Sequence, residues 1–200
     1  MNRIGLVQWL LSLSLSFVMI DVTVAGEPLD QLRQTTDRVL AILSDPALKA
    51  PDKTEEKREL ILKAVDERFD WEEIARRSLA RHWRQRTPEE RREFIRLFKE
   101  LLERVYMDKV DGNSWNKILY EGEQIDGDYA SVKVKIFTAR AQAIQVEYRM
   151  RKKGTQWLIY DFLVEGVGLV SNYRAQFNEI ILKSSYQELV KRLRARSIQD

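Results

Sequence analysis

Apolar residues recur at helical spacing through the first half of the chain and at strand spacing through much of the second. A first helix is predicted to start near Pro28, carry Leu29, Leu32, Val39, Leu40 and Leu43 inward, and stop at Asp45-Pro46. A second, from about Asp52 to Arg68, buries Leu60, Ile61, Ala64 and Val65. Asp70 caps a short third helix with Ile74, Leu79 and Trp83 on its apolar side. The fourth has the clearest start, because Thr87-Pro88-Glu89-Glu90 combines a capping box with proline at the first helical position. Its stripe of Phe94, Leu97, Phe98, Leu101, Leu102 and Val105 ends at Tyr106.

The period then falls to two. Val132, Val134 and Ile136 alternate with Ser131, Lys133 and Lys135, and Ile144, Val146, Tyr148 and Met150 alternate with polar partners. These are antiparallel strands with one wet face, joined at Asp126-Gly127 and Lys153-Gly154; a further strand covers Lys117 to Gln124. The strand Trp157–Val164 is apolar on both faces and is expected to be covered on both, by protein or by a ligand. Strict alternation points Trp157, Ile159 and Leu163 one way and Leu158, Tyr160, Phe162 and Val164 the other. Glu165-Gly166 breaks it, Gly168 adds a flexible point, and Ser171 or Asn172 caps a helix presenting Tyr173, Phe177 and Ile181. Helices over Asn172–Lys183 and Tyr186–Arg196 close the chain. Four helices, four strands and two helices make an α+β fold, its helices packed on the dry face of a curved, mainly antiparallel four-stranded sheet that can enclose an apolar cavity.

Two blocks carry a resemblance. YDFLVEGVGLVSNYRAQF, from Tyr160 to Phe177, and FDWEEIARRSLARHWRQRTPEERREFIRLFKELLERVY, from Phe69 to Tyr106, resemble the signature of the MlaC family, the periplasmic phospholipid-binding component of the Mla lipid-trafficking pathway. The resemblance covers most of the chain after Gly26. The family usually has Ser where Gly168 stands and Gly where Ala80 stands, and Gly168 is expected to loosen the turn before the last helices. The resemblance implies a cone similar to the nuclear-transport-factor-like fold.

The N-terminus follows a different logic. Met1 to Arg3 is a basic start, Ile4 to Ile20 an apolar run, and Thr23-Val24-Ala25 offers small residues for cleavage. Residues 1–25 are therefore expected to be a signal peptide, cleaved after Ala25 or Gly26, and 26–200 a single periplasmic domain. A membrane anchor is the competing reading, since about 17 apolar residues borders on a spanning length. The absence of cysteine excludes a lipoprotein anchor, thiol catalysis, disulfide scaffolds and Cys-based metal sites. A net charge of +3 is mild, and no basic run with interleaved aromatics suggests nucleic acid.

No catalytic constellation emerges, and the chain is read as a non-enzyme. One histidine, His82, offers little choice of general base, and no Gly-rich phosphate loop, GxSxG or HExxH is present. Asp161, on a strand with two dry faces, is either a structural carboxylate or an activated base. Arg76, Arg77, Arg81, Arg84, Arg86, Arg91, Arg92 and Arg96 cluster; they form either a basic rim for a lipid phosphate, membrane or acidic partner, or a solvated face balanced by Glu72 and Glu73. Arg77, Arg81 and Arg84 are the candidates for head-group or partner contact.

The aromatics taken one by one suit ordinary core packing; the resemblance turns the set into a lipid cavity. It implies lipid contact by Phe94, Phe98, Leu101, Leu102, Val105 and Tyr106 on the fourth helix, by Val134, Ile144, Val146, Tyr148, Ile159 and Phe162 on the sheet, and by Tyr173 and Phe177 beyond it. A diacyl lipid's roughly thirty methylenes are worth about 0.8 kcal/mol each when buried, so both tails should be hidden while the head group can stay in water. The implied partners are a phospholipid, an inner-membrane ABC transporter with its MCE-type substrate-binding subunit, and an outer-membrane lipoprotein–porin complex. No metal, nucleotide or organic cofactor is called for. Two rivals stay open: a periplasmic chaperone or adaptor for hydrophobic protein segments, and a small-molecule enzyme on the same cone with Asp161 as base.

Overall fold

The computed structural model describes residues 27–111, 115–138 and 143–196, so the predicted leader, residues 1–25, lies outside the described residues. Helix α1 (Pro28–Ser44) opens with proline, and the Glu123 carboxylate accepts from the Leu29 amide at 2.7 Å. Asp45 ends it and turns its side chain onto the Ala47 amide. Helix α2 (Thr54–Asp66) starts and stops two residues inside its predicted range. Pro51–Lys53 forms a tight 3-10 turn ahead of it. At the other end the backbone leaves the helix to pair with a strand, the Ile159 amide donating to the Arg68 carbonyl and the Asp70 amide to the Ile159 carbonyl, both at 2.8 Å.

Helix α3 (Trp71–Leu79) is capped by Asp70, as its sequence position requires, and a 3-10 segment, Ala80–Gln85, follows. Ala80 sits at φ 48°, a conformation that a Cβ disfavours. The capping box of α4 (Pro88–Asp111) forms in full, with the Thr87 amide on Glu90 at 2.9 Å and the Glu90 amide on Thr87 at 3.2 Å. The helix runs on past Tyr106, where its apolar stripe was read to end.

The sheet is an antiparallel meander, β1 (Trp115–Asp126), β2 (Tyr129–Thr138), β3 (Ala143–Lys153), β4 (Gln156–Val164) and β5 (Val167–Gly168), in that spatial order. The expected four strands become five because Glu165 and Gly166, both at positive φ, turn the chain back on β4 for two residues. β4 also departs from strict alternation. Met150 faces Ile159 and Arg149 faces Asp161, which leaves Tyr160 as the extra residue of a β-bulge. The bulge flips the pattern, so Phe162 and Val164 share a face with Ile159, and Leu163 points the other way. Tyr160 is left beneath the Arg77 guanidinium, 4.1 Å from the ring centre.

Helix α5 (Leu169–Lys183) begins before the predicted caps. Gly168 is its N-cap residue, and Asp161, reaching from β4, accepts from the Val170 amide at 3.0 Å. Ser171 instead donates back to the Gly168 carbonyl at 2.8 Å. Helix α6 (Tyr186–Arg194) is capped by Ser185. Helices α3 to α6 share one apolar core, and α1 with the sheet forms another around Leu32, Val132, Met150, Trp157 and Ile159. Arg151 ties the two regions together, 2.9 Å from Asp70 and 3.4 Å from Glu73. Among the described residues no helix is long and apolar enough to cross a membrane.

Candidate functional site

Between the two cores lies a cavity of about 460 Å³. α1 supplies Leu32, Val39, Leu40 and Leu43, α2 supplies Ile61, Leu62 and Val65, and α4 supplies Leu102, Tyr106 and Met107. The sheet closes the opposite side with Ile118, Ile136, Ile144, Val146, Tyr148, Ile159, Phe162 and Val164. Without the bulge at Tyr160, Ile159 and Phe162 could not both face this space. From Leu32 to Leu43 the cavity follows α1 for about 16 Å at 1.5 Å per residue.

The wall is aliphatic and aromatic, and its few polar groups are mostly engaged. Thr35 and Thr36 donate to the Gln31 and Leu32 carbonyls of their own helix. Arg68 is clamped by Gln31 at 2.7 Å, the Trp157 carbonyl at 2.8 Å and Thr35 at 3.0 Å, and burial lowers its pKa. Burial pushes the Tyr148 phenol up to about 12, so it stays neutral. Apolar walls do not hold ordered water well, so the space suits an apolar occupant of elongated shape.

Of the residues predicted to meet a lipid, Leu102, Tyr106, Ile144, Val146, Tyr148, Ile159 and Phe162 line the cavity. Phe94, Phe98, Leu101, Tyr173 and Phe177 are instead interlocked in the core of the helical block, and Val105 packs against it. Phe98 lies 5.0 Å from both Tyr173 and Phe177, ring centre to ring centre, and Phe94 lies 5.6 Å from Phe177. The α4 stripe is thus two stripes. At about 100° per residue, Phe94, Leu97, Phe98, Leu101 and Val105 look toward α5 and α6, while Leu102 and Tyr106 sit on the shoulder that faces the cavity. Val134, although on the inner sheet face, is covered within the sheet core. The α1 and α2 wall was absent from the candidate set, and so were Phe69 and Trp71, which stack at 5.1 Å. The stripes on α1 and α2 were legible, but nothing in them marks a half-buried wall apart from an ordinary packed face.

The arginine candidates lie away from the cavity wall. Arg77 binds Glu73 at 2.6 Å and covers Tyr160, and Arg81 donates to Asn178 at 2.8 Å. Arg84 is exposed. Glu73 collects Arg76 and Arg77, each at 2.6 Å, and these hydrogen bonds hold its carboxyl down at about 2. His82 meets Asn178 at 3.0 Å. Asp161 also lies outside the wall, with Arg149 at 3.6 Å; burial raises its pKa while the Val170 amide opposes the rise. Its visible work is to fasten the first turn of α5. Among the described residues no group of three or more His, Asp or Glu side chains could hold a metal ion.

Comparison with known proteins agrees with this fold. A phospholipid-binding protein from Ralstonia solanacearum, solved in complex with a phospholipid, superposes with a TM-score of 0.76 at 24% identity over 86% of this chain and 97% of that one. The intermembrane phospholipid transport system binding protein MlaC of Haemophilus influenzae is 22% identical over 202 residues, 96% of this chain and 94% of that one. The family model described as MlaC protein matches residues 33–195, and the chain belongs to the MlaC family.

Proposed function

We propose that this protein is a periplasmic carrier that encloses the acyl chains of one phospholipid. On this reading it moves the lipid between an inner-membrane ABC transporter, through its MCE-type subunit, and an outer-membrane lipoprotein–porin complex. The observation that carries the reading is the long apolar cavity between the α1–α2 pair and the sheet. Membership of the MlaC family and the phospholipid-bound neighbour of the same fold support it.

Burial of both tails yields more than about 20 kcal/mol gross, before ordering and cavity costs. Spontaneous release would then be slow, and a partner must open the cavity or offer the tails an equally dry path. The signal-peptide layout of residues 1–25 supports export, and the chemistry asked of the protein is binding rather than bond making.

Mass spectrometry of organic extracts from the purified mature protein tests the reading, with native mass spectrometry for stoichiometry. One diacyl phospholipid per chain, surviving gel filtration, is the expected result. A chain clean of lipid, and still clean after incubation with liposomes, overturns it in favour of an adaptor for hydrophobic protein segments.

A further inference from the structure

Glu103 differs from every other polar group of the cavity wall. It is the one carboxylate among the described lining residues, and only 16% of its side chain is exposed. Its counter-ion is shared unequally, since Lys99 stands 2.6 Å from Asp66 and 3.4 Å from Glu103. Burial raises the Glu103 pKa, which Lys99 only partly offsets. A carboxylate has about four lone-pair sites, and this one is left with acceptor capacity on the ligand side.

Glu103 lies where the cavity wall comes near solvent. The Lys99 side chain is 28% exposed and that of Asp66 38% exposed, beside a wall that is mostly aliphatic and aromatic. The Trp71 indole, itself part of that wall, donates to Asp66 at 2.9 Å and holds it in position. An acceptor and a cation thus stand side by side at the edge of an apolar slot. A ligand with buried tails and a polar head would set that head against such an edge.

Building on the reading of the cavity as a phospholipid site, we propose that Glu103 and Lys99 read the head group, favouring a zwitterionic phospholipid with a primary ammonium over an anionic one without it. The ammonium donates to Glu103 while the phosphate faces Lys99. An anionic head without an ammonium brings its phosphate toward Glu103 and Asp66, with Lys99 already engaged by both and Arg58 acting on Glu103 as well. Tail burial is equal for lipids of matched chains and cancels in the comparison, so a modest interaction at the rim decides the ratio. Affinity needs no head-group recognition; selectivity draws on it.

Lipid-stripped protein is incubated with vesicles of equal phosphatidylethanolamine and phosphatidylglycerol, matched in acyl chains, and the extracted lipid is quantified by mass spectrometry. Wild type is expected to be enriched in phosphatidylethanolamine by about five-fold, the scale of a partly exposed charged contact. Glu103→Gln should bring the ratio toward one, and Glu103→Lys should invert it. A wild-type ratio of one, needing no variant, overturns the proposal and leaves the carrier reading standing. A Glu103→Gln protein that keeps the enrichment, or loses both lipids alike, also overturns it. No uptake of either lipid brings down both readings together.

Discussion

Between α4, α5 and α6, aromatic rings touch one another on every side: Phe94, Phe98, Tyr173 and Phe177 are at most 1% exposed and meet edge to face or tilted. Between α1, α2 and the sheet, side chains of similar character stand around open space, and Val39, Leu40, Leu43, Leu62 and Val65 are only half-buried. Hydrophobicity alone does not separate these regions. What separates them is whether neighbouring elements close on each other. The helical block does, stapled by the Tyr186 hydroxyl donating to the Glu90 carbonyl and by the Arg194–Glu93 pair. α1 and α2 pack on each other and α1 packs on the sheet, while α2 meets α4 through the Asp66–Lys99 ion pair beside the cavity.

Truncation should expose this difference most strongly. Phe177→Ala opens a hole in a filled core and should cost about 4 kcal/mol, whereas Val39→Ala removes methyl groups from a wall that already borders space and should cost about 1 kcal/mol. Urea unfolding of lipid-free protein measures both, and equal losses would erase the distinction. Overfilling sharpens it. Phe98→Trp should lose roughly 2 kcal/mol by overpacking, with lipid per folded chain unchanged. Val146→Trp should instead lower lipid per chain while the protein stays folded, read by extraction and by circular dichroism.

The seam between the regions is polar and should respond to acid. Glu73 has its folded pKa depressed to about 2 from the usual 4.5, chiefly by its hydrogen bond to Arg76. Its contribution is therefore present above the unfolded pKa and is lost as pH falls from about 4.5 toward 2. Glu73→Gln should cost about 2 kcal/mol at pH 7. Little of that difference should remain at pH 2, so the two unfolding curves should converge there. Smallest is Ala80→Gly. Relief of the positive-φ strain at Ala80 should gain about 1 kcal/mol in the helical block without altering lipid content, as urea unfolding and lipid extraction would register.

The parts of the fold that the chain announces are local. Thr87 and Glu90 form their capping box from residues three apart, Asp70 caps its own helix, and Gly127 and Gly154 turn the hairpins at positive φ. The bulge at Tyr160 is not local, because it depends on how β4 pairs with β3, and strict alternation therefore mis-assigned Phe162, Leu163 and Val164. The start of α5 was misplaced for a similar reason. Its cap is Asp161, nine residues earlier on a strand, rather than a hydroxyl in its own first turn. Phe94, Phe98, Leu101, Val105, Tyr173 and Phe177 fell in the helical block because a periodic stripe reveals that a face is covered, and not whether the cover is protein or ligand. At Ala80, where the family usually has glycine, the φ of 48° supplies the physical reason for glycine.

The central claim is that the hollow side, and not the aromatic helical block, receives the lipid tails. A phospholipid carrying a photoreactive diazirine near the end of an acyl chain, loaded into the protein, irradiated and mapped by peptide mass spectrometry, tests it most directly. The account predicts adducts on the α1 and α2 wall from Val39 to Leu43 and Ile61 to Val65, and on the inner face of β3 and β4. Adducts concentrated on α5 and α6, or scattered over the outer surface, would contradict it.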